Sequence, residues 1–124
     1  MTPIIGGFVL ALLLVATPVV AMGPVLNHCG FSWTESVATN VASFNLYIGT
    51  ISGGPYALLV NVPISGPGPM YETTGNPCVG QPDGQKFAVV KAVDIANNES
   101  GPSNEAPFAL LTIAPAAPSG LTVK

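Results

Sequence analysis

The sequence predicts an all-β fold, a β-sandwich of six or seven antiparallel strands, from three observations. Apolar and polar residues alternate in short runs, the pattern of strands with one buried face. Clusters of Gly, Pro, Asn and Ser interrupt these runs roughly every eight to twelve residues. No segment after residue 21 repeats its apolar residues at helical spacing. Short strands separated by regular turns are typical of a sandwich.

The predicted strands can be placed in order along the chain. Phe31 and Trp33 alternate with polar residues and share one face of an early strand, and the next strand carries Phe44, Leu46 and Ile48 on one face. Only Val25 and Leu26 are available for a strand before these. The strands are predicted at residues 31–36, 41–48, 56–62, 70–74, 87–93 and 108–113, with Gly- and Pro-rich turns at 49–55, 63–69 and 75–84.

The first 21 residues are predicted to be a signal peptide. Residues 4–16 are an uninterrupted apolar run, Pro18 follows it, and Ala21 is small enough for a cleavage site. No Lys or Arg precedes the run, and residues 2–25 are long enough to cross a bilayer, so an uncleaved membrane anchor is the alternative. Both alternatives predict an exported chain, extracellular or on the cell surface. Residues 22–114 are then the β-sandwich, and 115–124 a Pro-rich linker with a strand-like tail.

Composition limits the classes of partner. Charged residues make up 7% of the chain and the net charge is −3, so we expect no nucleic-acid partner. The 48% hydrophobic content is enough for a core and argues against disorder. A surface with so few charges tends to associate. We expect a protein partner or copies of the chain itself, with polysaccharide as the alternative, and membrane contact only through an uncleaved N-terminal segment.

The two cysteines, Cys29 and Cys78, are predicted to form a disulfide. An exported chain meets an oxidising compartment, where pairing is the default. Cys29 lies just before the second strand and Cys78 in the loop between the fifth and sixth, and in this topology both positions are at one end of the sandwich. His28 adds a single further ligand, which is too few for zinc, so no metal site is predicted.

No catalytic residues and no cofactor are predicted. The six acidic residues are scattered, and no Gly-x-Ser-x-Gly elbow or phosphate-binding loop occurs. Asp83 and Asp94 occupy positions where turns favour Asp. Tyr47, Tyr56 and Tyr71 are either ordinary strand residues or an aromatic platform for a sugar.

Two segments resemble fibronectin type III domains, especially those of secreted bacterial proteins. One is Ala-Val-Asp-x-Ala-x-Asn-Glu-Ser-x-Pro-Ser-Asn at residues 92–104, and the other is Ser-Phe-Asn-Leu-Tyr-Ile-Gly-Thr-Ile-Ser-Gly-Gly-Pro-Tyr-Ala-Leu-Leu at 43–59. The resemblance covers roughly residues 24–113 and implies a fibronectin type III or immunoglobulin-like sandwich. Such domains are usually scaffolds or binding modules and seldom enzymes. In such domains a Tyr in the sixth strand usually locks the corner before it; here that position falls on Lys86, beside Phe87, so either the register differs or the lock is absent.

Two surfaces are predicted to carry the function. The first is the loop after residue 94, with Asn97, Asn98, Glu99, Ser100 and Asn104 as the interaction residues. The second is the tail, where Leu121 and Val123 alternate as in a strand and could pair with a sheet edge of this chain or of the next. A frayed linker or a truncated next domain is the alternative for the tail. The predicted function is a structural or adhesive module, and the alternative is an accessory carbohydrate-binding module.

Overall fold

A computed structural model describes residues 22–124, and this part of the chain is a two-sheet β-sandwich. Five strands form one sheet in the order β1-β7-β6-β3-β4, and β2 pairs with β5 in a second sheet. The predicted all-β class is therefore confirmed. The seven strands are β1 Val25–Leu26, β2 Ser32–Thr34, β3 Val41–Gly49, β4 Ala57–Pro63, β5 Met70–Glu72, β6 Gly84–Asp94 and β7 Ala106–Leu110.

The predicted signal peptide or membrane anchor at residues 1–21 lies outside the described residues. Within residues 22–124, no helix is long and apolar enough to span a membrane.

The core lies between the two sheets and is built from β3, β6 and β7 together with the two cysteines and Tyr71. Phe44, Leu46 and Ile48 are all buried, as their alternation predicted. Aromatic contacts join the sheets: the Phe31 ring meets Phe108 edge-on at 5.4 Å between centroids, and Trp33 meets Phe44 at 5.2 Å. Edge-to-face pairs of this kind add to the free energy gained from burial. Trp33 thus faces inward as predicted, although its side chain is only half-buried.

The last hairpin differs in its bounds from the prediction. β6 begins three residues earlier, at Gly84, because its first residues pair with the end of β7, with Gly84 opposite Leu110. β7 ends at Leu110 and does not continue to residue 113. The backbone N–H groups of Thr112 and Ile113 donate to the Asp83 carboxylate, at 3.0 and 3.3 Å, and no longer to a neighbouring strand. A side-chain acceptor has therefore ended the strand.

The predicted disulfide between Cys29 and Cys78 is confirmed. The two Cα atoms are 5.7 Å apart, both side chains are buried, and the bond closes a loop over a sequence separation of 49. The Asn76 side-chain oxygen accepts from the backbone N–H groups of both cysteines, each at 3.1 Å. The bond thus joins the β1–β2 connection to the β5–β6 connection at one end of the sandwich.

The first strand does not pair with the second. β1 runs parallel to β7, with Val25 opposite Ala109, so the prediction that all strands are antiparallel is wrong for this one pair. Gly23 allows the close approach, because a Cβ there would lie 2.1 Å from the carbonyl oxygen of Pro107. β2 consequently pairs with β5 alone among the described strands, and its other edge is open.

Candidate interaction surfaces

The polar loop after β6 folds back along that strand. The Ser100 N–H donates to the carbonyl of Ala92 at 2.8 Å, and its hydroxyl oxygen accepts from the Ala92 N–H at 2.8 Å. Ser103 repeats the arrangement with Val90, at 2.9 and 3.0 Å. Each serine hydroxyl takes the place of a backbone carbonyl, so the edge of β6 stays hydrogen-bonded where regular strand pairing has stopped.

The tip of the loop is a tight turn built on Asp94. Asn97 has a φ of 68°, the left-handed conformation that Asn tolerates better than most residues. The Asp94 carboxylate accepts from the backbone N–H groups of Ala96 and Asn98, at 2.9 and 2.7 Å, and from the Asn98 side chain. The hydrogen bond from the Asn98 side chain is the main cause that lowers the pKa of Asp94.

Glu99 connects the loop to the outer face of the large sheet. Its carboxylate accepts from the Tyr47 hydroxyl and from the Asn45 amide, the latter at 2.9 Å. The Lys91 ammonium lies 3.6 Å from the same carboxylate and 4.9 Å from the Tyr47 ring centroid. The Tyr47 hydrogen bond is the main cause that lowers the pKa of Glu99, and the same bond raises the pKa of Tyr47.

A second carboxylate, on Glu105, makes a similar connection that the sequence did not predict. It accepts from the Ser52 hydroxyl at 2.6 Å, from the Gly53 backbone N–H at 2.7 Å and from the Tyr56 hydroxyl. The Gly53 hydrogen bond is the main cause that lowers the pKa of Glu105. Glu105 therefore attaches the β3–β4 turn to the start of β7.

Of the residues predicted for the interaction loop, four are thus hydrogen-bonded within the fold. Asn97 and Asn98 form the turn, Glu99 binds the sheet face, and Ser100 closes the edge of β6. Asn104 differs, since its side chain forms no hydrogen bond among the described residues and it lines a groove beside β2. A role for this loop in binding a partner stays a prediction.

The tail is not part of the packed sandwich. Every residue from 111 to 124 is exposed, and the side chains of Leu121 and Val123 are 97% and 98% exposed. The last hydrogen bond that ties the chain to the domain comes from Ile113 to Asp83. Within the described residues, the tail pairs with no strand.

A groove runs between the open edge of β2 and the segment that leads into β7. It has a volume of about 390 Å³, and its apolar floor comes from β3 and β6. Trp33 lines it, and the indole N–H of Trp33 is buried without an acceptor among residues 22–124. A buried donor of this kind is rare in folded proteins. Its apolar lining includes Phe31, Trp33, Leu46 and Val90, and Ser32, Thr34, Ser103 and Asn104 add polar groups at its sides.

The three tyrosines do not form one platform. Tyr71 is buried in the core, with its ring 4.9 Å from that of Phe44. The hydroxyls of Tyr47 and Tyr56 are bound by Glu99 and Glu105. Within the described residues, no group of three His, Cys, Asp or Glu side chains could hold a metal ion.

The strand order defines the class of the fold. β7, β6 and β3 stand in the G-F-C order of an immunoglobulin-like sandwich, and β2 and β5 form its B-E pair. The chain is a fibronectin type III-like β-sandwich, and the resemblance seen in the sequence is confirmed.

Comparison with known proteins gives matches only among solved structures. The chain matches no protein-family model and no curated protein. It is similar to an Fn3-like protein from Clostridium thermocellum, with 25% identity, coverage of 73% of this chain and 88% of that chain, and a TM-score of 0.43. It is also similar to a chitin-active lytic polysaccharide monooxygenase in its Cu(I) form. That match has 13% identity, 72% and 58% coverage, and a TM-score of 0.39.

Proposed function

We propose that this chain is a non-catalytic, extracellular structural or adhesive module that associates with copies of itself through its sheet edges. The observation that carries the proposal is the chemistry of those edges. β2 and β4 each have one open edge among the described strands, and neither strand contains a charged residue. Proteins that remain monomeric usually protect such edges with Lys or other charges.

The surface supports the same proposal. Twelve large apolar side chains of the described residues are more than half exposed, among them Leu58 on β4 and Met70 on β5. With only 7% charged residues, the chain has little charge repulsion to keep copies apart.

Export is supported by the disulfide, because such bonds persist in oxidising compartments. A structural role is supported by the hydrogen bonds that the carboxylates accept within the fold. Asp83 ends β7, Asp94 builds a turn, and Glu99 and Glu105 attach loops to the sheet. These four of the six acidic side chains are therefore occupied by hydrogen bonds of the fold itself.

Light scattering after size exclusion tests the proposal. We expect the mass of the full chain to rise with protein concentration and to change little with salt, since apolar and backbone contacts are not screened. Two variants form a matched pair. Leu58→Lys places a charge on the open edge of β4 and should lower the association if that edge takes part. Thr50→Lys places a charge on an exposed turn and should leave the association unchanged. A monomer at every concentration up to about 1 mM would contradict the proposal.

The alternative, an accessory carbohydrate-binding module, has less support because Tyr71 is buried and the hydroxyls of Tyr47 and Tyr56 are bound by Glu99 and Glu105. Retention of the chain on chitin or cellulose, lost in Tyr47→Ala and Tyr56→Ala, would favour that alternative over self-association.

A further inference from the structure

We infer that the open edge of β2 and the groove beside it receive residues 119–124 of a second copy as an added strand. This inference rests on the proposed function and names the contact through which copies would associate. Four features of the described residues carry it: the free backbone groups of β2, the groove, the protection of the other edges, and the exposed tail.

The free backbone groups follow from the pairing of β2 with β5. The Phe31 carbonyl accepts from the Thr73 N–H at 2.9 Å, and the Glu35 N–H donates to the Pro69 carbonyl at 2.8 Å. Backbone groups of alternate residues point to opposite sides of a strand. Those of Ser32 and Thr34 therefore point away from β5, towards the edge where no described strand lies.

The groove offers what an added strand needs. Its floor is apolar, and the side chains of Phe31 and Trp33 line it beside the edge of β2. A strand on β2 would bring backbone carbonyl groups as acceptors and apolar side chains to cover the floor. Side chains that face Phe31 and Trp33 must be two residues apart, the spacing of Leu121 and Val123 in the tail.

The other open edges are less suited to the tail. β4 carries a bulge, because Leu46 is opposite Val60 while Tyr47 is opposite Leu58, and it ends at Pro63. A bulge and a proline interrupt regular strand pairing, so the uncharged edge of β4 offers a shorter regular stretch to an added strand. β5, at the other edge of the small sheet, has the charged side chain of Glu72, and β1, at the end of the large sheet, is only two residues long. β2 contains no bulge, proline or charged residue.

The occupant is a second copy because the tail is exposed throughout and does not occupy the groove of its own domain. Residues 111–124 are all exposed, and Pro115 and Pro118 favour an extended chain that advances about 3.1 Å per residue. A contact between the tail of one copy and the groove of another joins two different surfaces. A contact of this type can repeat from copy to copy. It produces a filament unless the copies close into a ring.

The first experiment measures binding through the fluorescence of Trp33, the one tryptophan of the chain. The receptor is the full chain with Leu121→Asp and Val123→Asp, which disables its own tail, and the probe is a synthetic peptide of residues 115–124. We expect a saturable change in the Trp33 emission. A peptide with Thr122→Asp, whose charge would lie on the solvent face, should bind comparably. A peptide with Leu121→Asp and Val123→Asp should bind at least tenfold more weakly. No saturable change up to about 1 mM would overturn the inference.

The second experiment locates the contact. Thr122 would lie opposite Ser32 in either orientation of the added strand, so a mixture of Ser32→Cys and Thr122→Cys chains should form a disulfide-linked heterodimer on oxidation. A mixture of Thr50→Cys and Thr122→Cys chains is the control and should not. Equal cross-linking in both mixtures would overturn the inference, as would efficient Leu58→Cys homodimers with no Ser32–Thr122 product.

The two proposals fail separately. If the peptide does not bind although the full chain associates, this inference fails and the proposed function stands. If the peptide binds although the full chain is monomeric at every concentration, the proposed function fails and so does the choice of a second copy as the occupant; only the groove as a site for the tail sequence then stands.

Discussion

The Ser103 hydroxyl and the Val90 N–H form a 3.0 Å hydrogen bond, while the Ser103 N–H donates to the Val90 carbonyl at 2.9 Å. One serine thus satisfies both backbone groups of a residue on β6. Ser100 does the same for Ala92, so a loop with no regular strand pairing protects the last part of the strand.

Removing these hydroxyls should therefore destabilise the domain. We expect Ser100→Ala and Ser103→Ala each to lower the free energy of unfolding by about 1–2 kcal/mol, because a backbone N–H of β6 loses its acceptor. Urea denaturation measures the change. Ser36→Ala, at an exposed position that makes no hydrogen bond among residues 22–124, is the control and should change stability by less than about 0.5 kcal/mol. Equal effects at all three positions would contradict the role assigned to the two hydroxyls.

Acid should destabilise the protein more than its small charge content suggests. The folded state lowers the pKa of Asp83, Asp94, Glu99 and Glu105, so the unfolded chain binds protons more readily. These four carboxylates contribute their full stabilisation at pH values above the pKa that they have in the unfolded chain, about 4. This stabilisation is lost as the pH falls through the lower pKa values that the same groups have in the folded protein.

We therefore expect the melting temperature to fall steeply below about pH 4. Glu99→Gln combined with Glu105→Gln should make this fall shallower. Glu72→Gln removes a carboxylate that makes no hydrogen bond among the described residues, and the steep fall should remain. Calorimetry across the pH range distinguishes the variants, and identical profiles for all would contradict the prediction.

The disulfide should be a large contributor to stability. Closing a loop of this length is worth about 4 kcal/mol in the chain-entropy model. We expect reduction, or Cys29→Ser combined with Cys78→Ser, to lower the free energy of unfolding by an amount of this order. Intact mass with and without reductant should differ by two hydrogens. Two free thiols in protein from its native compartment would contradict the assignment.

Trp33 should matter for packing although it is half-buried. Trp33→Ala removes the edge-on contact with Phe44, and we expect a loss of about 3 kcal/mol, the lower end for large aromatic truncations. Val79, which is 78% exposed, gives the control Val79→Ala with little effect. A loss below about 1 kcal/mol at Trp33 would mean that its contact with Phe44 contributes little.

The parts of the fold that the sequence predicted depend on local pattern. The inner face of β3 follows from alternation, and the disulfide follows from export combined with strand order. The pairing of β1 could not be predicted, because two residues carry no periodicity that would distinguish β7 from β2 as its neighbour. The early end of β7 depends on Asp83, a side chain far away in sequence that competes for the backbone N–H groups.

The candidate surfaces also divide into features that are visible in the local sequence and features that arise only from the tertiary fold. The alternation of Leu121 and Val123 is visible in the sequence, as is the polar character of the loop after β6. The groove beside β2 is not, since it arises where residues of β2, β3, β6 and β7 meet. The contacts of Glu105 were missed because Ser52 and Glu105 come together only through the tertiary fold, at a separation of 53 residues.

The position of the disulfide determines how the domain would respond to mechanical force. Tension applied between the two ends of the domain passes from Cys29 to Cys78 through the covalent bond, and residues 30–77 lie outside that path. β2, β3, β4 and β5 are therefore protected from extension. The parallel contact of β1 with β7 is loaded in shear, with its hydrogen bonds strained together. Under tension the domain would yield first at its two terminal strands and lengthen little more until the sulfur–sulfur bond is reduced or β6 is drawn out.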